Sequence, residues 1–234
     1  LSSSQSTPGV SGIGAPAGST SRQLTSLAPG QIFAVTGNGL SASPADASSV
    51  PLPLELSGTR VLLGGSTVPL YSADAQSVNA QAPFELTPGN DVPMVIISGG
   101  NAAPPQMVRV GRTNPTLFVR DQSAAAPGQL TDAVGRPISA DNPAHRGDLV
   151  QVFGTGFGAT NPPVPSGLAT PASPPSLVTL PVRVLVGGAP AEVTFAGLSA
   201  GYVGLYQVSF RVPANAPAGE SVELVVEKIG RAHV

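Results

Sequence analysis

Short runs in which apolar residues alternate with polar or small ones recur along this chain, closed by glycine, proline or asparagine. Residues 77–82 show the pattern most cleanly. Val78, Ala80 and Ala82 fall on one face, Ser77, Asn79 and Gln81 on the other, and Pro83 ends the run. A period of two over such a length predicts a β-strand with one buried face. The same reading predicts strands over 32–36, ending at Gly37-Asn38-Gly39, over 92–97 with Val92, Met94 and Ile96 on one face, and over 106–110. Residues 60–63 and 66–71 flank Gly64-Gly65, which predicts a tight hairpin because glycine supplies the positive φ angles of the turn.

The pattern is written twice. APGQIFAVTGNGL (28–40) matches HRGDLVQVFGTGFG (145–158): setting Gly147 on Gly30, an offset of 117, brings Val150 onto Phe33, Val152 onto Val35 and Gly154 onto Gly37. RVLLGG (60–65) recurs as RVLVGG (183–188) at an offset of 123, and SVNAQAP (77–83) as QVSFRVP (207–213) at 130. VPMVII (92–97) matches VELVVE (222–227). The growing offset places extra residues of the second copy in two insertions, 161–175 and 195–205. Two copies are too few for a solenoid, and each, at roughly 90–115 residues, has the size of a self-sufficient domain. In the second copy Val208, Phe210 and Val212 take the places of Val78, Ala80 and Ala82. Phe84 is therefore expected to fold back and fill part of the space left by the smaller residues.

Composition changes this picture little. With 28 glycines, 26 prolines and only 10% charged residues among 234, helix is disfavoured and turns are many. A net charge of −2 gives no electrostatic reason to expect nucleic acid, and the absence of cysteine excludes disulfides and thiolate metal sites. No apolar run approaches the ~20 residues of a membrane helix. Residues 1–23, rich in Ser, Gly, Thr and Pro, read as a flexible linker. The first domain is expected over 24–112 and the second over 113–227, where the segments TNPTLFV and QLTDAVGRPIS suggest a strand and a turn leading in. The counterpart of 106–110 would fall at 236–240, so the second domain is expected to lack its closing strand. The ending KIGRAHV (228–234) reads as a non-native tail, Lys228 being the one lysine among eleven basic residues.

Candidate chemistry is sparse. His145 and His233 are the only histidines, too few for a histidine-based zinc site, and His145, just before Gly147, reads as a turn residue rather than a triad base. Most of the thirteen carboxylates sit beside Gly, Pro or Asn, as turn residues do. A calcium site would draw on Asp141, Asn142 and Asp148, which solvated turns explain better. Gly154-Thr155-Gly156-Phe157-Gly158 lacks the spacing, helix and downstream acid of a dinucleotide loop, and its counterpart Gly37-Asn38-Gly39 points to a repeated bend. Arg146-Gly147-Asp148 spells an adhesion tripeptide, but Gly147 matches Gly30, whose neighbours are Pro29 and Gln31, so a turn glycine accounts for it. The proline-rich stretch 161–175 offers a polyproline II surface or, more simply, crosses one end of a sandwich. The candidate partner-binding residues are Phe195, Tyr202 and Tyr206, because aromatics in such an inserted loop stack on sugars or partner surfaces. Tyr202 is expected to be the exposed one, and Tyr206 reads equally as a core or corner residue. No catalytic, cofactor-binding or metal-ligating residue is assigned.

Many short strands, regular turn signals and no helical period predict an all-β chain of two tandem antiparallel β-sandwiches. Together APGQIFAVTGNGL, RVLLGG, SVNAQAPFEL, NPAHRGDLVQVFGTGFG, PPVPSG, RVLVGGAPAEV and GLYQVSFRVP resemble an uncharacterised C-terminal domain family of large exported acidobacterial proteins, and each half is similar to the IPT/TIG branch of immunoglobulin-like folds. The resemblance implies an extracellular or cell-envelope module and no activity. The expected function is a non-catalytic structural, adhesion or binding unit at the C-terminal end of a larger exported protein, with a polysaccharide or cell-surface protein as partner. The alternatives are a glycan-binding accessory to an upstream enzyme and a C-terminal sorting or surface-attachment module.

Overall fold

The computed structural model describes residues 7–20, 23–119 and 129–228. Among them no helix forms, and every strand ladder is antiparallel. The first half contains β1 (Gly9–Gly14), β2 (Ile32–Asn38), β3 (Ala45–Asp46), β4 (Thr59–Leu63), β5 (Ser66–Thr67), β6 (Leu70–Ala73), β7 (Ser77–Gln81), β8 (Asp91–Ser98), β9 (Asn101–Ala102) and β10 (Gln106–Arg109). The second contains β11 (Thr116–Leu117), β12 (Leu130–Asp132), β13 (Leu149–Thr155), β14 (Thr160–Asn161), β15 (Leu177–Val178), β16 (Val182–Val186), β17 (Ala189–Leu198), β18 (Tyr206–Arg211) and β19 (Leu224–Lys228).

In the first half one sheet runs β1-β2-β7-β6-β3 and the other β10-β8-β4-β5. That is the order A-B-E-D against G-F-C-C′ of an immunoglobulin-like sandwich. The alternating residues identified above close its core: Phe33, Val35, Val61, Leu63, Val78, Ala80, Met94 and Ile96 are all fully or almost fully buried. A second core gathers Val150, Val152, Phe157, Val184, Tyr206, Val208 and Phe210.

The two halves pair their strands in one register. Phe33 lies opposite Ala80 and Val35 opposite Val78; Val150 lies opposite Phe210 and Val152 opposite Val208. Likewise Val61 faces Ile96 and Leu63 faces Met94, as Val184 faces Val226 and Val186 faces Leu224. Large and small have changed places across one pair, Phe–Ala in the first half and Val–Phe in the second. This conserves the volume that core packing is most sensitive to.

That exchange corrects the expectation for Phe84. Phe33, not Phe84, fills the space over Ala80. Phe84 turns the other way and packs, half-buried, against the second core. Its backbone N–H donates to Ser166 Oγ (2.9 Å), and its ring covers Gly30.

Two further differences have local causes. Residues 9–14, expected inside a flexible linker, form β1 and pair with β2, where Val10 and Ile13 pack on the first core. The edge of β2 would otherwise present unpaired backbone groups. Residues 66–71, expected as one strand, break at Val68-Pro69, and the chain passes from β5 in one sheet to β6 in the other. Pro69 offers no N–H to either ladder. The second half makes the same passage in one strand: β17 pairs with β16 through 189–191 and with β18 through 192–198, with a bulge between Val193 and Phe195. At the C-terminal end Lys228 is the last residue of β19 and its Nζ donates to the Leu180 carbonyl (2.6 Å). The remainder of the expected tail, 229–234, lies outside the described residues.

Candidate functional site

The insertions found in the second copy alone dock on the first half. From the proline-rich stretch, Gly167 N–H donates to Gln81 Oε1 (2.7 Å) and its carbonyl accepts from Leu52 N–H (2.8 Å). Ser166 Oγ receives the Phe84 N–H and donates to Glu85 Oε2 (2.8 Å). From the other insertion, the Val203 carbonyl accepts the Tyr71 hydroxyl proton (2.6 Å). Between them Thr155 Oγ1 accepts from Ile32 N–H (2.8 Å) and donates to the Gly204 carbonyl (3.3 Å). Gln31 holds the Ala28 N–H with Oε1 (2.8 Å) and donates through Nε2 to the Asn114 carbonyl (3.1 Å).

This seam between the halves is polar and buried. Gln31, Gln81 and Thr155 have no solvent exposure, so each hydrogen bond counts, because an unpartnered buried polar group costs about 1–3 kcal/mol. Gln81 Nε2 has no acceptor among the described residues, which makes Oε1 the working end of that side chain. Glycine permits the close approach. A Cβ on Gly204 would stand 3.0 Å from the Gly30 carbonyl oxygen, and one on Gly156 (φ +80°) 2.1 Å from the Asn114 carbonyl oxygen. Gly156 and Gly158 of GTGFG both take positive φ, so the stretch forms a crowded bend.

The three candidate aromatics are not brought together. Phe195 lies within β17, half-buried, with its ring edge over Gly197. Tyr206 is corrected out of the set: it is 1% exposed, its hydroxyl donates to the Gly158 carbonyl, and its ring packs on Phe157 at a centroid distance of 5.5 Å. A ring in the core cannot meet a partner. Tyr202 is 60% exposed. Its carbonyl accepts from both Thr170 N–H (2.9 Å) and Thr170 Oγ1 (3.0 Å), and Gly201 N–H returns a bond to the Thr170 carbonyl (2.8 Å). Thr170 sits between Ala169 and Pro171, two walls of an apolar cleft of about 150 Å³ completed by Pro162, Pro165, Leu168 and Pro174. The displayed phenol thus stands beside a proline-walled cleft.

A larger cleft of about 490 Å³, of mixed polar and apolar lining, includes Asp132, Arg136, Asp141, His145 and Asp148. Two of its carboxylates, Asp132 and Asp148, serve their own turns. Asp132 holds the Arg136 guanidinium (2.7 Å) and the Val134 N–H (3.0 Å), and Asp148 Oδ2 caps His145 N–H (2.8 Å). No group of three or more His, Cys, Asp or Glu among the described residues is arranged to hold a metal ion. The arginine of Arg146-Gly147-Asp148 is engaged internally, donating from Nε and Nη2 to the Ala216 carbonyl at 3.0 and 2.8 Å.

Burial raises the phenol pKa of Tyr71 and of Tyr206 well above the ordinary tyrosine value. A raised acid pKa means that the unfolded chain loses these protons first. Stability is therefore full below pH ~10 and falls as pH rises beyond it. An ultraviolet titration is expected to show two of the three tyrosines ionising only together with unfolding; free ionisation of all three in the folded protein would contradict these burials.

What sequence reasoning missed was the seam. Gln81 falls on the polar face of its strand, and Gln31 stands out only as the neighbour of a turn glycine. The one available signal was asymmetry between the copies, since their counterparts by the same offsets are the charged Asp148 and Arg211.

No family model matches the chain, and no curated protein matches it. Among solved structures it is similar to a surface glycan-binding protein from Prevotella bryantii (16% identity, 95% of this chain and 40% of that one, TM-score 0.32). It is similar also to SGBP-B from a complex xyloglucan utilization locus in Bacteroides uniformis (12% identity, 94% and 48%, TM-score 0.29) and to the full extracellular region of plexin A4 (12% identity, 100% and 16%, TM-score 0.30). The chain spans less than half the length of each. No helix among the described residues is long and apolar enough to cross a membrane.

Proposed function

We propose that this chain is a rigid, non-catalytic module of a larger exported protein, two sandwiches joined into one body that spaces or presents neighbouring parts. The observation that carries this reading is the seam, to which the second half commits both of its insertions through buried hydrogen bonds. A flexible tandem has no use for buried glutamines between its units, because interfaces between mobile domains keep their polar groups in reach of water. The resemblance to the acidobacterial family supports the exported setting.

Calorimetry is expected to give one cooperative unfolding transition, and ¹⁵N relaxation one tumbling time for both halves. Gln81→Ala strands the Gly167 N–H and is expected to lower stability by about 1–3 kcal/mol. Two independent transitions in the unaltered protein, or separate tumbling of the halves, would sink the proposal.

The exposed Tyr202 beside the proline-walled cleft favours a second reading, in which the same body binds a polysaccharide by stacking a sugar on the phenol. Tyr202→Ala touches no core and is expected to leave stability within ±~0.5 kcal/mol. On a polysaccharide panel it is expected to weaken binding by roughly three- to tenfold, as loss of an aromatic contact does. Unchanged binding in the variant would remove Tyr202 from any site.

A further inference from the structure

The segment that forms β1 serves both halves. β1 is the outermost strand of the sheet β1-β2-β7-β6-β3, and β11 stands at the end of the second half's sheet. Past Gly14 the same segment reaches β11. Thr20 N–H donates to the Leu117 carbonyl (2.9 Å), Leu117 N–H to Thr20 Oγ1 (3.2 Å) and Val119 N–H to the Gly18 carbonyl (2.7 Å), with Ser19 opposite Phe118. Residues 9–20 thus border one sheet at their start and the other at their end.

These bonds close a ring that passes through the seam. Gly37 N–H donates to the Gln76 carbonyl on the β7 side, whereas Ile32 N–H donates to Thr155 Oγ1. Backbone groups alternate along an antiparallel strand. Ala34 and Thr36 therefore turn the same way as Ile32, toward Gly14 and Gly12 of β1. One edge of β2 is divided between β1 and the second half. From Thr155 the path crosses to β11, where Thr116 lies opposite Thr155 and Leu117 opposite Gly154, and from Leu117 it returns to Thr20. The segment packs on the first core through Val10 and Ile13, both half-buried. Lightly buried parts of a fold are the ones that open first.

We propose that residues 9–20 are a clasp whose single opening frees the edges of β2 and β11 together and bares the Ile32–Thr155 link between the halves. The clasp rests on the one-body reading and adds to it that the first segment controls how firmly the halves are joined. A pull on the residues before Gly9 is then felt in the second half as well as the first.

Amide hydrogen exchange on the whole protein is the test. Ala34, Thr36, Leu117 and Val119 are expected to exchange through one opening, at a common free energy below that of Val35, which faces β7. Ile13→Ala, made in the first half, is expected to speed Leu117 and Val119 in the second by roughly five- to tenfold, the scale of trimming a half-buried aliphatic side chain. Thr20→Val removes the acceptor of Leu117 N–H at the other end and is expected to speed Ala34 and Thr36 by roughly two- to tenfold. Neither position is fully buried, so both variants keep the fold. The clasp is overturned if either substitution acts only on its own half, or if the four amides exchange only together with Val35. Uncoupled exchange with a single tumbling time removes the clasp and leaves the one-body reading standing; two tumbling times remove both.

Discussion

Replacing Tyr206 with alanine is expected to lower the free energy of unfolding by about 3–5 kcal/mol, the loss seen when a large buried aromatic is truncated. The ring is among the largest fully buried side chains, and it links the start of β18 to the bend after β13 through Phe157 and the Gly158 carbonyl. Tyr206→Phe keeps the ring and removes only the hydroxyl, leaving the Gly158 carbonyl without that donor, and is expected to cost about 1–2 kcal/mol. Urea denaturation of the two variants separates packing from hydrogen bonding. Equal stability of Tyr206→Ala and the parent would mean that the second core is not closed by this residue.

Gly156→Ala is the second large effect. A side chain at φ +80° carries backbone strain of about 1–3 kcal/mol, and its Cβ would stand 2.1 Å from the Asn114 carbonyl oxygen, a backbone atom that cannot rotate away. Strain and overpacking together predict a loss of roughly 2–6 kcal/mol. Gly188→Ala is the matched control. Its φ of +79° is nearly the same, yet nothing lies within 4 Å of the added Cβ, so it is expected to lose only the strain. If thermal denaturation shows the two variants equally destabilised, close approach at the seam is not what Gly156 provides.

These two residues show how far the chain can be read from its letters. Gly37 and Gly154 were visible as a repeated pair, and both prove to be places where backbone crowds backbone: a Cβ would stand 2.0 Å from the Gly9 carbonyl oxygen in one half and 2.5 Å from the Thr116 carbonyl oxygen in the other. Tyr206 was harder. Its position just before an alternating strand suited a loop tip and a core residue equally, and only the position of Phe157 decided between them. The place of Phe84 is not legible in sequence because the exchange that fills the core, Phe33 over Ala80 in one half and Phe210 over Val150 in the other, is a relation across paired strands. The cleft was legible only as a proline-rich stretch, since what sets Tyr202 beside it is the pair of hydrogen bonds from Thr170 to the Tyr202 carbonyl, 32 residues apart.

Period-two alternation and the turn glycines that punctuate it are properties of neighbouring residues. The strands, their inward faces and the equivalence of the two halves could therefore be read before any coordinates. Burial of a polar side chain is different in kind, because it depends on what arrives from elsewhere. Gln81 meets Gly167 across 86 residues, while its counterpart Arg211 stays exposed. Only the packing of the second half's insertions on the first half decided that a seemingly outward glutamine lies inside.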